Sequence, residues 1–495
     1  MLSLNQNIKI ALILIFSISF YAHSYKWDDD LLGVHLWRQA QNQWNIINFY
    51  RYDNNILRPR IAALNLGHES NILRYEFPIM TWSIAQIERI FGEGIAVTRI
   101  SMWIVGICMV FGFFKIAHFI FKNEIIALCG TISILFSPII HYYMINPMSD
   151  VWALCAMMWM VYFILKYHEN KDQNAFLIAS ILWMISSLMK LPYTLSGMMI
   201  LVPVWIAFRK QQITKKDLFK IIGVLALLSI PTVAWYSYAI SAWQGMNVLS
   251  GIAGTPITMD VILNYLRFHL LDWLALHLVS IPATILFVIG LIVLLIKLKK
   301  WTEVKTILLL GFLPFFAYYI FEFSLIARIH DYYLLPFMLW IHLIVCLGIS
   351  LMMKKKWLKP ILIFLILSMP MSAVLQSDRL WSINRNGYPV EWFYQAEALR
   401  KAVPRDSLCI FINDNTGTVL PYQAGHRGYV FDHDELPPVW VEDMIVNRRA
   451  SYLYSTTRKV DTSEVIRKFI DQEIFQADRL KVFKLKERSQ IKMSR

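Results

Sequence analysis

Apolar residues crowd into runs along the first three quarters of the chain, and several runs reach the roughly 20 residues that carry a helix across hydrocarbon. They predict membrane-spanning helices at about 7–25, 95–120, 124–141, 150–167, 174–190, 193–208, 219–240, 273–297, 305–322, 333–353 and 358–375. Between them lie short Lys- and Arg-rich segments, "RKQQITKKDLFK" (209–220), "KLKKWTEVK" (297–305) and "KKKWLK" (354–359). An alternating path places all three on one side, which the positive-inside bias makes the cytoplasmic one. The N-terminus is then cytoplasmic, and residues 26–94, the turns near 141–150, Lys190 and 322–332, and everything after 376 lie outside. "AHS" (22–24) has small residues at cleavage-like spacing, but little positive charge besides Lys9 precedes the first run, so a retained first span is expected.

Two stretches of the first outer loop break the pattern. "VHLWRQAQNQWNIINFY" places Leu36, Ala40, Trp44 and Ile47 at helical intervals, and "YEFPIMTWSIAQIERIFG" is similarly amphipathic. Both are too polar to span, and they predict helices lying in the interface. Beyond 376 the period changes. "LCIFI", "GYVF", "SYLYS" and "KVFKL" predict short strands, alternating with helix-like "VEWFYQAEALRKAV", "PVWVEDMIVNRR" and "TSEVIRKFIDQ". The fold class is a polytopic α-helical membrane protein of about 11 transmembrane helices with a small C-terminal α/β periplasmic domain. Its modules are 1–375, including the first loop at 26–94, and 376–495.

Composition agrees. The 495 residues are 57% hydrophobic and 17% charged, against roughly 25% charged in soluble domains. The net charge of +14 is spread over short loops rather than along a basic stripe interleaved with stacking aromatics, which argues against nucleic acid. The five cysteines form neither a disulfide framework nor a CxxC metal site.

On this topology the unusual polar groups share the outer side. Asp28, Asp29, Asp30, His35, Arg38 and Glu76 lie in the first outer loop, and Asp150 follows "NPMS". Lys190 opens "KLPY", and "RIHDYY" supplies Arg328, His330, Asp331, Tyr332 and Tyr333. Ionisable groups within spans cost roughly 2.5–3.5 kcal/mol each at the centre, so they tend to face cavities. Each also has a plain role: solvated flank for the aspartates, snorkelling for Arg38, helix-terminal acid for Asp150. His35 and Arg38 are one helical turn apart and are expected to share a face.

"HLWRQAQ…INFYRYDNNILRPRI…YEFPIMTW…FGEGIAVTRI" resembles the first outer loop of bacterial GT-C membrane glycosyltransferases, in the branch of protein O-mannosyltransferases and the lipid A aminoarabinose transferase. The likeness is best over about 30–105, 141–150, 190–193 and 328–336. It implies a polyprenyl-phosphate-linked sugar donor, an acceptor that is lipid, glycan or protein, and a site on the outer face of the inner membrane. In that family an acid precedes an Arg by three positions; here Arg38 matches the Arg and His35 stands in the acid's place. The base is therefore Asp30, His35 or Asp150, the last matching the family's second-loop acid. Glu76 matches the acid of the "(F/Y)-E-K-P-P" stretch, but Phe77 replaces its phosphate-contacting lysine, leaving Lys190 or Arg328 to supply that cation. "HDYYLLP" is similar to a late outer-loop signature near the carrier headgroup.

The residue types suit inverting transfer. A carboxylate takes the acceptor proton on one face of an oxocarbenium-like centre, and cations receive the leaving phosphate. The resemblance thus implies Asp30, His35 and Asp150 as catalytic candidates, Arg38, Lys190, Arg328 and His330 for the donor phosphate, and Glu76 and Tyr332 for substrate. No cofactor is required, although two outer acids permit a divalent metal. The rival readings are an O-antigen polymerase or ligase using pyrophosphate-linked glycans, and a non-catalytic transporter or scaffold. The former usually has its main outer loop later in the chain; a transporter would show repeat symmetry, which is absent.

Overall fold

The computed structural model describes residues 5–66, 71–241, 258–296, 302–323, 326, 330–385, 387–431 and 436–491. The chain divides into two compact units. The first comprises Met1–Asp29, Tyr75–Met80 and Gly94–Leu380; the second comprises Asp30–Arg74, Thr81–Glu93 and Trp381–Arg495.

The first unit is helical. Eight helical segments among the described residues are long and apolar enough to cross a membrane: Gln6–Lys26, Ile95–Phe121, Ser149–Asn170, Leu191–Arg209, Lys215–Ile240, Glu303–Phe321, Asp331–Lys354 and Lys356–Leu380. Three shorter apolar helices, Glu124–Leu135, Gln173–Met189 and Ile281–Ile296, stand where the hydropathy pattern places spans too. Helices without a hydrophobic drive between them pack through small residues. Gly290 and Gly348 show it: a Cβ on Gly348 would lie 2.1 Å from Leu286 O, and one on Gly290 would lie 1.9 Å from Ile344 O. Backbone therefore rests on backbone between Ile281–Ile296 and Met338–Lys354.

The second unit is built on a five-stranded mixed sheet in the order β2-β1-β3-β5-β4, with β1 Leu408–Ile412, β2 Arg427–Phe431, β3 Tyr452–Ser455, β4 Ile470–Ala477 and β5 Leu480–Leu485. Both β2 and β3 run parallel to β1, and β5 is antiparallel to β3 and β4. Helices Ala396–Ala402, Val419–Ala424 and Pro438–Val446 accompany it. Its core includes Ile410, Ile412, Val441, Leu453 and Phe469. Four strands and two of the helical stretches stand where the sequence predicts them. "TSEVIRKFIDQ" is a correction: only Glu464–Arg467 is helical, and from Ile470 the chain is the β4 strand.

The loop residues join this sheet for a stated reason. The outer edge of β2 would otherwise present unpaired backbone groups. Leu64 N donates to Gly428 O at 2.7 Å, Gly428 N to Ala62 O at 3.1 Å, and Asn65 pairs through its amide with Val430 N and O. Gly428 is obligatory here, because a Cβ would fall 1.8 Å from Cys409 O. The two loop helices form as expected, Leu36–Arg51 and Ile79–Phe91.

Candidate active site

In the first unit, three side chains spread over more than a hundred residues converge. Lys190 ends helix Gln173–Met189 in extended backbone, where a cation is favoured by the helix C-terminus. Asp150 lies in the first turn of Ser149–Asn170, where a carboxylate is favoured; the N-cap itself is Met148. Glu76 sits in a loop pinned from both sides. Phe77 N donates to Leu188 O at 3.0 Å, and Trp235 Nε1 donates to Tyr75 O at 3.1 Å. The Phe77 ring packs edge-on against Trp235, its centroid 4.9 Å away, within a small apolar cluster that includes Leu188 and Tyr236. Lys190 Nζ is thereby held 2.9 Å from Glu76 Oε1 and 3.3 Å from Asp150 Oδ2. Lys190 and Asp150 are only 6% and 2% exposed. Phe77 thus serves as an apolar clamp, and the cation beside Glu76 is Lys190.

The tyrosines of "HDYY" cover the same lysine. Lys190 Nζ lies 5.1 Å and 5.0 Å from the ring centroids of Tyr332 and Tyr333, a cation–π arrangement. Tyr332 Oη and His330 Nδ1 are 2.9 Å apart. Arg328 lies outside the described residues. Asp331 is buried and accepts hydrogen bonds from Tyr143 Oη, at 2.6 Å, and from His277 Nε2. A further buried cation fixes the loop that leads to Asp150. Arg99, fully buried in Ile95–Phe121, donates to Asn146 Oδ1 at 3.0 Å and to Asp29 O at 2.6 Å. Sequence reading gave Asp331 no role of its own and passed over His277, Tyr143 and Arg99. Arg99 and His277 each carried a signal, being an ionisable group inside a predicted span.

In the second unit, Asp30 Oδ1 accepts from Arg400 Nη2 at 2.8 Å and from Tyr422 Oη at 3.4 Å. The Asp30 side chain remains 38% exposed. Burial lowers the pKa of Arg400, but the Asp30 carboxylate and its other partners outweigh that and raise it. Arg38 is buried in Leu36–Arg51 and donates to Gln41 Oε1 at 2.9 Å. His35 stands just outside the helix proper. It is the N-cap, in left-handed backbone at φ 54°, without a side-chain capping bond. Its carbonyl accepts from Arg38 N and Gln39 N instead.

Among the described residues no group of three or more His, Cys, Asp or Glu is placed to hold a metal ion. The two carboxylates that could bridge one, Glu76 and Asp150, already share the Lys190 ammonium. A divalent ion there would face that charge, so the donor set does not fit a metal.

Residues 76–236 match the family model described as dolichyl-phosphate-mannose-protein mannosyltransferase. That stretch contains Glu76, Asp150 and Lys190 together. No curated protein matches the sequence. Among solved structures, the fold is similar to ArnT from Cupriavidus metallidurans in the apo state, with a TM-score of 0.64 at 11% identity, covering 97% of this chain and 99% of that one. The same enzyme bound to undecaprenyl phosphate gives 0.60 at 10%, covering 95% and 97%. The Archaeoglobus fulgidus oligosaccharyltransferase in complex with Zn and sulfate gives 0.54 at 12%, covering 94% and 71%. The chain has the fold of the GT-C membrane glycosyltransferases.

Proposed function

We propose that this protein transfers a sugar, with inversion, from a polyprenyl-phosphate-linked donor to a lipid, glycan or protein acceptor. The observation that carries the reading is the Glu76–Lys190–Asp150 group, its lysine and Asp150 buried and Glu76 half-buried, which falls wholly inside the mannosyltransferase match. The ArnT that shares the fold binds undecaprenyl phosphate, which supports a donor of that class. Transfer on the outer face of the inner membrane, eleven crossings with a cytoplasmic N-terminus, and a periplasmic α/β domain complete the proposal.

Lys190 receives the donor phosphate. Its two carboxylate partners preorganise the ammonium, and the phosphate competes with them for it. Asp150, released from its pair, takes the proton of the acceptor hydroxyl or amine as the acceptor attacks the anomeric carbon. The C–O bond to phosphate breaks on the opposite face, and polyprenyl phosphate leaves with the electron pair. Asp30 is the alternative base, held open to solvent by Arg400 and Tyr422. In this reading Arg38, Arg328, His330 and Tyr332 assist at the donor headgroup.

The test is donor turnover by purified protein in nanodiscs, with a panel of polyprenyl-phosphate sugars and crude membrane acceptors. Acceptor-dependent release of polyprenyl phosphate, abolished in Asp150→Asn and retained in Asp30→Asn, is expected. The reverse pattern moves the base to Asp30. No release with any donor from folded protein rejects the reading.

A further inference from the structure

A cavity of about 680 Å³ in the second unit has no part in the reaction above. It is lined by Tyr50, Arg51, Tyr52, Arg89, Arg405 and Asp406. Local structure explains why the arginines gather. Helix Leu36–Arg51 ends here, and Arg89 from the last turn of Ile79–Phe91 donates through Nη2 to its terminal carbonyls, Phe49 O at 2.8 Å and Tyr50 O at 3.4 Å. Arg51 forks onto Glu93, with Nε 2.8 Å from Oε2 and Nη2 2.5 Å from Oε1. Arg405 reaches the same Glu93 at 3.2 Å while its side chain stays 70% exposed.

The balance of charge is positive. Four arginines, Arg51, Arg89, Arg405 and Arg427, gather around Glu93 and Asp406: Arg51 pairs with both acids, Arg405 pairs with Glu93, and Arg427 lies over the Tyr52 ring at 3.9 Å. The Asp406 carboxyl reports this field. It is held below the ordinary carboxylate range first by the Tyr52 hydroxyl, against a smaller opposing effect of burial, and further by Arg51, Arg405 and Arg427. Glu93 in the Arg51 fork shows that a planar oxyanion fits the bidentate geometry available here. Arg89 and Arg405 each spend one terminal nitrogen on the bonds above, and a guanidinium carries five N–H donors. Tyr50 adds a half-buried aromatic wall. Concave sites with an aromatic wall and a few convergent polar groups take small polar ligands.

We propose that this cavity binds a saccharide carrying an oxyanion, a phosphate or a carboxylate, which Arg89 and Arg405 hold while the sugar ring lies along Tyr50. The site is independent of the donor reading, since none of its residues belongs to the Glu76–Lys190–Asp150 group.

The test is calorimetric titration of the full-length protein in nanodiscs with glucose 6-phosphate, glucuronate, glucose and inorganic phosphate. Glucose 6-phosphate, glucuronate or both should bind, more weakly as salt rises, and glucose should not. Binding of only one of the two acids identifies the oxyanion. Arg405→Glu, at an exposed position where folding is retained, should weaken binding roughly ten-fold or more. Failure of both acidic sugars to bind, equal binding of glucose, unchanged affinity in Arg405→Glu, or inorganic phosphate binding as tightly as its sugar ester would each overturn the proposal.

Discussion

Replacing Lys190 by methionine keeps the length of the side chain and removes the charge that Glu76 and Asp150 share. The two carboxylates then lose their 2.9 and 3.3 Å contacts to the ammonium, and Asp150 is only 2% exposed. Breaking a buried ion pair by removing one partner costs about 3–5 kcal/mol, because the remaining buried charge loses its counterion. Thermal unfolding in detergent, followed by tryptophan fluorescence, should show a midpoint lower by about 5–10 °C. The triple variant Glu76→Gln/Asp150→Asn/Lys190→Met leaves no charge behind. It should recover most of that loss, since well-packed neutral replacements of buried ion groups are often near neutral in stability. Transfer activity should fall about 10²–10³-fold in Lys190→Met, the effect of losing one preorganised charge at a developing anion, and be abolished in the triple variant, which also lacks the Asp150 base. Two results would refute the reasoning: Lys190→Met no less stable than the triple variant, or transfer undiminished in Lys190→Met. The first would mean that the carboxylates do not depend on the lysine, and the second that it does not meet the donor phosphate.

Four further outcomes are expected. Turnover should survive EDTA, because Lys190 already supplies the cation between Glu76 and Asp150; abolition by EDTA and rescue by a divalent ion would show otherwise. His426 is 3% exposed, and burial brings its pKa from 6.5 down to about 4. The unfolded chain therefore binds the extra proton first. The His426 contribution to stability is full above pH 6.5 and lost as pH falls toward 4, by roughly 1–3 kcal/mol; the difference between wild-type and His426→Gln unfolding curves across that window measures it. Asp414, in the second unit, accepts from Leu420 N at 2.9 Å and from Thr416 N at 2.9 Å, so Asp414→Ala should lower urea stability by about 2–4 kcal/mol. Gly348→Leu should prevent recovery of folded protein while an equivalent change at exposed Gly387 does not, because only the former drives a side chain into the Leu286 carbonyl.

The apolar runs alone determined that this is a many-helix membrane protein, because a helix in lipid must satisfy its own backbone and be apolar over its length. Alternation and turn residues likewise placed β1, β2, β3 and β5, whose inward positions are apolar. The β4 strand escaped because it has no buried face: of its eight residues none is buried, and half are exposed. Its strand character comes from pairing with β5 rather than from its own pattern. The polar groups of Glu76, Asp150 and Lys190 could be seen to share a side of the membrane, but their sharing of one ammonium could not. That depends on Phe77 and Trp235 clamping a loop to the end of a helix more than a hundred residues away. His277 beside Asp331, Arg400 on Asp30 and the loop strand on β2 are of the same kind. Periodicity records which face of an element is buried. Which charged groups meet is decided only when separate elements pack, since a hydrogen bond has a direction and a reach of about 3 Å that no sequence spacing encodes across distant segments.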